Sequence, residues 1–291
     1  MGKSIFLLLI TLFLLFSCAK KEQKELRIAT NAWIGYTPLF YAQKKGYLDK
    51  LNIKLIASVS LAEASAIYDI GKADMVTTTQ HEYYSLKRTG HYIVPVILLD
   101  RSYGGDMVLS NKSIAQLRKA QKIYAYLEID SINAEILKDF IDHYNIDEKK
   151  VFFINKDQAQ IQDLKFQEKE AMLIVTYVPY NLSLEKKGFH RVASTKDIDK
   201  LIVIDSVCTS RKVFYHEQKR LKDLKKVIDK SIIEIQKDKK SSYLLIKDYF
   251  GNISYEEYLE ALTLIQWINN PSYKFLNCIE PMGYKGDYLI K

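Results

Sequence analysis

Residues 29–48 read ATNAWIGYTPLFYAQKKGYL. An apolar strand, LRIAT, runs into a Trp-x-Gly-Tyr-x-Pro turn and then into a helical pattern. Thr37 is placed to cap that helix, and Pro38 sits at its first position, where a missing N–H costs nothing. Gly46 closes it, as a glycine beyond the last turn commonly does. A strand, a tight turn and a helix in that order form the opening unit of an α/β protein. The turn itself carries two large rings, Trp33 and Tyr36, around Gly35. Rings in a loop are costly unless something covers them, which makes this turn a candidate contact site.

The same alternation continues downstream. IKLIASVS is the second strand, and Ser60 with Glu63 forms a capping box for a helix through Ile70. ADMVTTT is a short strand, and Thr79 with Glu82 forms the next box, over Gln80–Lys87. YIVPVILLD is a long apolar strand whose internal Pro95 requires an edge or a bulge. RSYGGDMVLS follows, and its adjacent glycines, Gly104 and Gly105, mark a hinge between two lobes because glycine absorbs large φ/ψ changes. Alternation then restarts. Ser113 and Gln116 box a short helix, KIYAYL is a strand, Ser131 caps a helix through His143, and VFFI is a strand. A polar helix is expected over 157–168, then the strand AMLIVTYVPY and a helix to Gly188. LIVIDSVCTS carries the chain back. Leu221, Leu224, Ile228, Ile232 and Ile235 recur at helical spacing and predict a long amphipathic helix, and a second is expected over 256–268. The expected organisation is a two-lobed α/β fold, each lobe a mainly parallel sheet flanked by helices. Lobe one spans 25–103 plus 207–291, and lobe two 104–206.

Residues 1–17 have a different character. Lys3 precedes an apolar run, Ile5 to Phe16, shorter than the ~20 residues of a comfortable membrane span. That layout is a secretory signal. It ends in LLFSC, with Cys18 where bacterial lipoproteins carry their lipid-modified cysteine, and 18–24 then form a tether. An uncleaved anchor helix is the alternative, and both readings put the remaining chain outside the cytoplasmic membrane. The 291 residues carry a formal charge of +8, with 48% hydrophobic and 12% aromatic content, enough for a proper core. Lysines scattered on helix faces exclude a nucleic-acid groove. The five histidines are isolated, and no Cys or His pair has metal-ligand spacing, so neither metal nor cofactor is expected. Cys208 and Cys278 form either a disulfide or two free thiols.

In open α/β sheets, ligands bind beyond the carboxyl ends of strands. Those ends hold Asn31, Trp33, Gly35 and Tyr36 after strand one, Thr77 to Thr79 after ADMV, and Asp100 and Asp106 around the first crossing. Glu128 and Ser131 follow IYAYL, Tyr177 follows MLIV, and Asp205 follows LIVI. Each has a structural alternative: Trp33 as a plug between lobes, Thr79 and Ser131 as caps, Asp100 and Asp106 as turn residues.

The runs RIATNAWIGYTPLFYAQKKGYLDKLNIKL, AIYDIGKADMV, SIAQLRKAQKIYAY and AMLIVTYVPY resemble the substrate-binding proteins of ABC importers for nitrate, sulfonates, taurine and thiamine-pyrimidine precursors. The resemblance covers nearly the whole mature chain. It implies a periplasmic-binding-protein fold (type II) that closes around a ligand held between the lobes. It also implies that the chain is a monomer that hands a small molecule to an ABC permease. By position it makes Trp33, Gly35, Tyr36, Thr78, Thr79, Glu128, Ser131 and Tyr177 ligand-site candidates, while Asp100, Asp106 and Asp205 serve either ligand or hinge. The family glycine of DLKGKKV is missing from QLRKAQKI. Among strand-end positions Arg101 is the one basic residue, a departure that favours a neutral or cationic heterocycle over sulfonate or nitrate. The same resemblance includes cytoplasmic thiamine-pyrimidine synthases, which carry a cysteine-rich motif that this chain lacks. A solute sensor that docks on a receptor is the other alternative.

Overall fold

The computed structural model describes residues 24–198, 202–251 and 253–290. The expected signal segment and Cys18 lie outside the described residues. Among the described residues no helix is long and apolar enough to cross a membrane.

Eleven strands run in chain order among the described residues: β1 Leu26–Asn31, β2 Ile53–Ser58, β3 Met75–Thr78, β4 Ile93–Ser102, β5 Asp106–Ser110, β6 Ile123–Leu127, β7 Val151–Asn155, β8 Ala171–Tyr177, β9 His190–Ser194, β10 Ile204–Ser210 and β11 Ile265–Trp267. They form two sheets, ordered β11-β4-β10-β3-β1-β2 and β7-β6-β8-β5-β9. Both are mixed. Each holds a parallel trio, β2-β1-β3 or β7-β6-β8, and antiparallel partners complete it. The chain crosses from the first sheet to the second between β4 and β5, through Tyr103, Gly104 and Gly105. It returns between β9 and β10. Because Asp205 and Ser206 pair with β4 and β3 in the first sheet, that return precedes Ile204, earlier than the boundary at 207 expected from sequence.

Local signals account for much of this. Thr79 and Glu82 form the capping box of the helix Gln80–Arg88, Ser113 and Gln116 that of Ile114–Lys119, and Ser131 caps Ile132–His143. The register between β10 and β4 shifts as it passes Pro95, the bulge that the proline requires. The helix Gln218–Lys237 buries Leu221, Leu224, Ile228, Ile232 and Ile235, each worth roughly 1.5–3 kcal/mol.

Other segments differ from expectation. Thr37 does not cap a helix by its side chain. A 3-10 turn, Ile34–Tyr36, precedes it, and its hydroxyl donates to the Ile34 carbonyl at 2.5 Å. The helix expected over 157–168 shortens to Gln158–Gln162. The one expected over 256–268 is Tyr255–Leu262 followed by β11, which pairs with the end of β4. There the Trp267 indole donates to the Gly35 carbonyl at 2.9 Å and pins the aromatic turn. Cys208 is buried, Cys278 is exposed, and both are free thiols.

Lobe two has its own apolar core, around Leu127, Ile136, Leu137 and Phe140. The core of lobe one, by contrast, runs on across the boundary through Met107, Met172, Ile174 and Tyr177. The lobes are therefore apposed, in a closed arrangement.

Candidate functional site

The strand ends of the two sheets meet at this boundary. A cavity lies between them, with Asn31, Trp33, Leu61, Thr79 and Asp205 from lobe one and Asp106 and Tyr177 from lobe two. Its volume is about 10 Å³, room for about one water molecule and far below the ~300–1,000 Å³ of ordinary ligand sites, so in this closed arrangement a guest needs the lobes to part. In the second sheet Asp106 and Tyr177 are direct antiparallel partners, so one register fixes both lobe-two contributions.

The aromatic turn is built around carboxylates. Trp33 is 4% exposed and Tyr36 0%. What covers both rings is the protein itself. The Trp33 indole N–H donates to Asp100 Oδ1 at 2.9 Å. Its ring stands edge-on to Tyr177 of the other lobe, centroids 5.7 Å apart. The Tyr36 hydroxyl donates to Asp205 Oδ1. Gly35 has a specific reason to be glycine: a Cβ there would lie 2.2 Å from the Asp100 carboxylate. A Cβ at Gly105 would lie 2.5 Å from the Trp33 ring. The second glycine of the crossing is thus what lets lobe two close on the indole.

Five carboxyl groups, those of Glu82, Asp100, Asp106, Glu128 and Asp205, are buried around the boundary. None takes part in an ion pair among the described residues. Asp100 and Asp205 face each other across β4 and β10, a placement of like charges that is destabilising. Burial pushes Asp106 up to about 7, against the Ser102 hydrogen bond. Burial also pushes Asp100 up to about 8, opposed by the Trp33 bond and reinforced by the charge of Asp106. Asp205 is raised well above its ordinary value, first by burial and then by the charge of Asp100. Burial carries Glu128 to about 7, although Ser60 and the Ala62 backbone hydrogen-bond to it from the start of the helix Leu61–Asp69. Among the buried acceptor atoms without a hydrogen-bond partner are Asp100 Oδ2, Glu128 Oε2 and Asn31 Oδ1.

Several bonds tie the lobes together here. Asn31 Nδ2 donates to the Tyr177 hydroxyl at 2.9 Å. Glu82 accepts from the Thr79 backbone and hydroxyl through Oε2, and its Oε1 accepts the Ile132 N–H of lobe two at 2.9 Å. His81 Nδ1 pairs with Glu135 Oε1 at 2.7 Å. Glu128 and Glu82 thus exchange across the boundary, each lobe supplying a carboxylate to a helix start in the other.

Of the residues singled out from sequence, Trp33, Thr79, Asp106, Tyr177 and Asp205 line the cavity. Gly35, Tyr36 and Asp100 stand behind it as supports. Thr78 turns to Cys208 Sγ at 3.1 Å, Ser131 serves as a helix cap, and Glu128 reaches the opposite helix start. Asn31 was visible as a strand end. Leu61 and Glu82 were missed, Glu82 because its capping-box role had already explained it. Arg101 lies outside the cavity, over the Tyr103 ring. No group of three or more His, Cys, Asp or Glu side chains suited to a metal ion occurs among the described residues.

A family model described as NMT1/THI5 like matches residues 33–241. Among solved structures, the alkanesulfonate-binding protein SsuA from Xanthomonas axonopodis pv. citri, bound to MOPS, superposes with a TM-score of 0.71 at 11% identity, covering 92% of this chain and 96% of that one. The zinc-bound ligand-binding component of an ABC-type import system from Staphylococcus aureus gives 0.69 at 13%, covering 92% and 97%. The periplasmic nitrate-binding protein NrtA from Synechocystis PCC 6803 gives 0.65 at 13%, covering 81% and 69%. These likenesses establish the two-lobed periplasmic-binding-protein fold. A search of curated proteins by sequence finds no match.

Proposed function

We propose, from the premise that this chain belongs to the NMT1/THI5-like family, that it is an extracytoplasmic solute-binding protein of an ABC importer, anchored by lipid on Cys18. It captures one small molecule between its lobes and delivers it, unchanged, to a permease. The proposed contacts are Trp33, Thr79, Asp106, Tyr177 and Asp205, joined by Asn31 and Leu61. Gly35, Tyr36 and Asp100 hold them in place, while Thr78, Glu128 and Ser131 act further out. The solute classes considered are thiamine-pyrimidine-like heterocycles, sulfonates or taurine, and nitrate.

The observation that carries this reading is the cavity itself. Its walls come from both lobes, it sits beyond strand ends, and it is lined by Asn31, whose Oδ1 is a buried acceptor with no partner. Such an atom costs free energy until a ligand satisfies it. Closure around a guest excludes water and strengthens each polar contact.

The test is native mass spectrometry of the purified protein, followed by thermal unfolding with the molecule found. A ligand that binds the folded state alone stabilises it by about 2.7 kcal/mol at a hundred times its Kd. Absence of any co-purified molecule, together with no thermal shift across the three solute classes, would contradict the reading.

A further inference from the structure

We propose, on the reading that the interlobe cavity is the solute site, that its guest is a small organic cation, an ammonium or amidinium group seated among Asn31, Asp106 and Asp205. The argument is a count of donors and acceptors. The Trp33 N–H is spent on Asp100, the Thr79 hydroxyl on Glu82, and one N–H of the Asn31 amide on Tyr177. Among the lining side chains the Tyr177 hydroxyl and the second N–H of the Asn31 amide keep uncommitted protons. The acceptors are left over: Asn31 Oδ1 without a partner, the Asp205 oxygen that Tyr36 does not occupy, and the capacity of the Asp106 carboxylate beyond its Ser102 bond.

An anionic guest has no counterpart here. No lysine or arginine lines the cavity. The helix starts at this boundary, which bind anions elsewhere, are already held by protein carboxylates. Glu82 takes the starts of Gln80–Arg88 and Ile132–His143, and Glu128 takes that of Leu61–Asp69. Behind the lining, Asp100 adds a further buried carboxyl whose Oδ2 is unpartnered. The chain as a whole is +8, so this acidic interior is not a consequence of an acidic composition. Buried carboxyls without a cation hold their protons, and a cation from outside is the partner that would let this set ionise. Raised carboxyl values around the cavity agree with this, and a bound cation lowers them.

The experiment compares charged probes with neutral isosteres by titration calorimetry on the full mature protein: acetamidinium against acetamide, benzamidine against benzamide. Methanesulfonate and nitrate form the anion series. The cations are expected to bind at least ~10-fold tighter than the amides, and the anions not to bind. Asp106→Asn and Asp205→Asn should each weaken the cations by roughly 30-fold or more, while the unliganded variants melt no lower than wild type at pH 8. That pairing of lower affinity with unchanged or greater stability separates a guest contact from a structural residue. Equal binding of an amide, or binding of either anion that Asp106→Asn leaves intact, overturns the charge inference and leaves solute binding standing. Silence from all probes, with no small molecule in the native mass spectrum, overturns both. A co-purified cation with silent probes supports both.

Discussion

Two regions of this molecule bury charge in opposite ways. On the long helix Gln218–Lys237, Arg220 and Lys225 are buried and each has a carboxylate partner. Arg220 Nε donates to Glu217 at 3.0 Å and Nη1 to the Lys24 carbonyl at 2.7 Å. Lys225 Nζ donates to Asp229 at 2.6 Å and to the Asn269 carbonyl at 2.8 Å. At the lobe boundary, Asp100, Asp106 and Asp205 are buried as deeply, with hydrogen bonds but no cation. The helix cations hold the fold together. The boundary carboxyls strain it, and strain of that kind is retained where it serves binding.

The largest effect that sharpens this contrast should come from the helix. Arg220→Ala leaves Glu217 and the Lys24 carbonyl without their donor, and the expected loss is about 3 kcal/mol in urea unfolding. A loss no greater than that of a surface substitution would erase the distinction. Gly35→Ala comes next. It drives a methyl group into the Asp100 carboxylate and should cost about 2 kcal/mol. An unchanged midpoint would mean that Asp100 is not fixed where the geometry puts it.

The pH dependence is third. Asp100, Asp106 and Glu128 have folded values near 8, 7 and 7, all above the unfolded carboxyl range. Their stability contribution is therefore complete below pH ~4. It is lost as pH rises toward 7–8, each group removing up to about 1.4 kcal/mol per unit. The other charges facing them are Asp205 and Glu82. This slope is opposite in sign to that of a salt-bridged carboxylate. Asp106→Asn should flatten it, and the same slope in both proteins would contradict the assignment. The smallest effect is expected at the rim, where Lys186 Nζ meets Glu257 at 2.7 Å with the lysine largely exposed. Lys186→Ala should change stability by less than ~0.5 kcal/mol.

The contrast also marks what sequence could and could not express. Caps are local, so Thr79 with Glu82, Ser113 with Gln116 and Ser131 were readable from spacing alone. So was the stripe from Leu221 to Ile235, whose period belongs to one helix. Strand β11 was not readable, because Ile265–Trp267 is too short to show a period and becomes a strand only by pairing with the end of β4. At the site, Trp33, Thr79, Asp106, Tyr177 and Asp205, singled out by their position beyond strand ends, line the interlobe cavity. What covers Trp33 is a long-range fact, set by Gly105 and Tyr177 in the other lobe. Glu82 joins its own helix start to that of Ile132, 50 residues further along, and a motif scan sees the first of these and stops.

The most direct test of the central claim, that the boundary carboxyls are kept for a cationic guest, is the proton balance of benzamidine binding at pH 7. It is measured by calorimetry in two buffers of different ionisation heat. A cation lowers the carboxyl values around the cavity, so binding should release protons, and Asp106→Asn should reduce that release. Proton uptake on binding, or no binding heat in either buffer together with no co-purified cation, would contradict the claim.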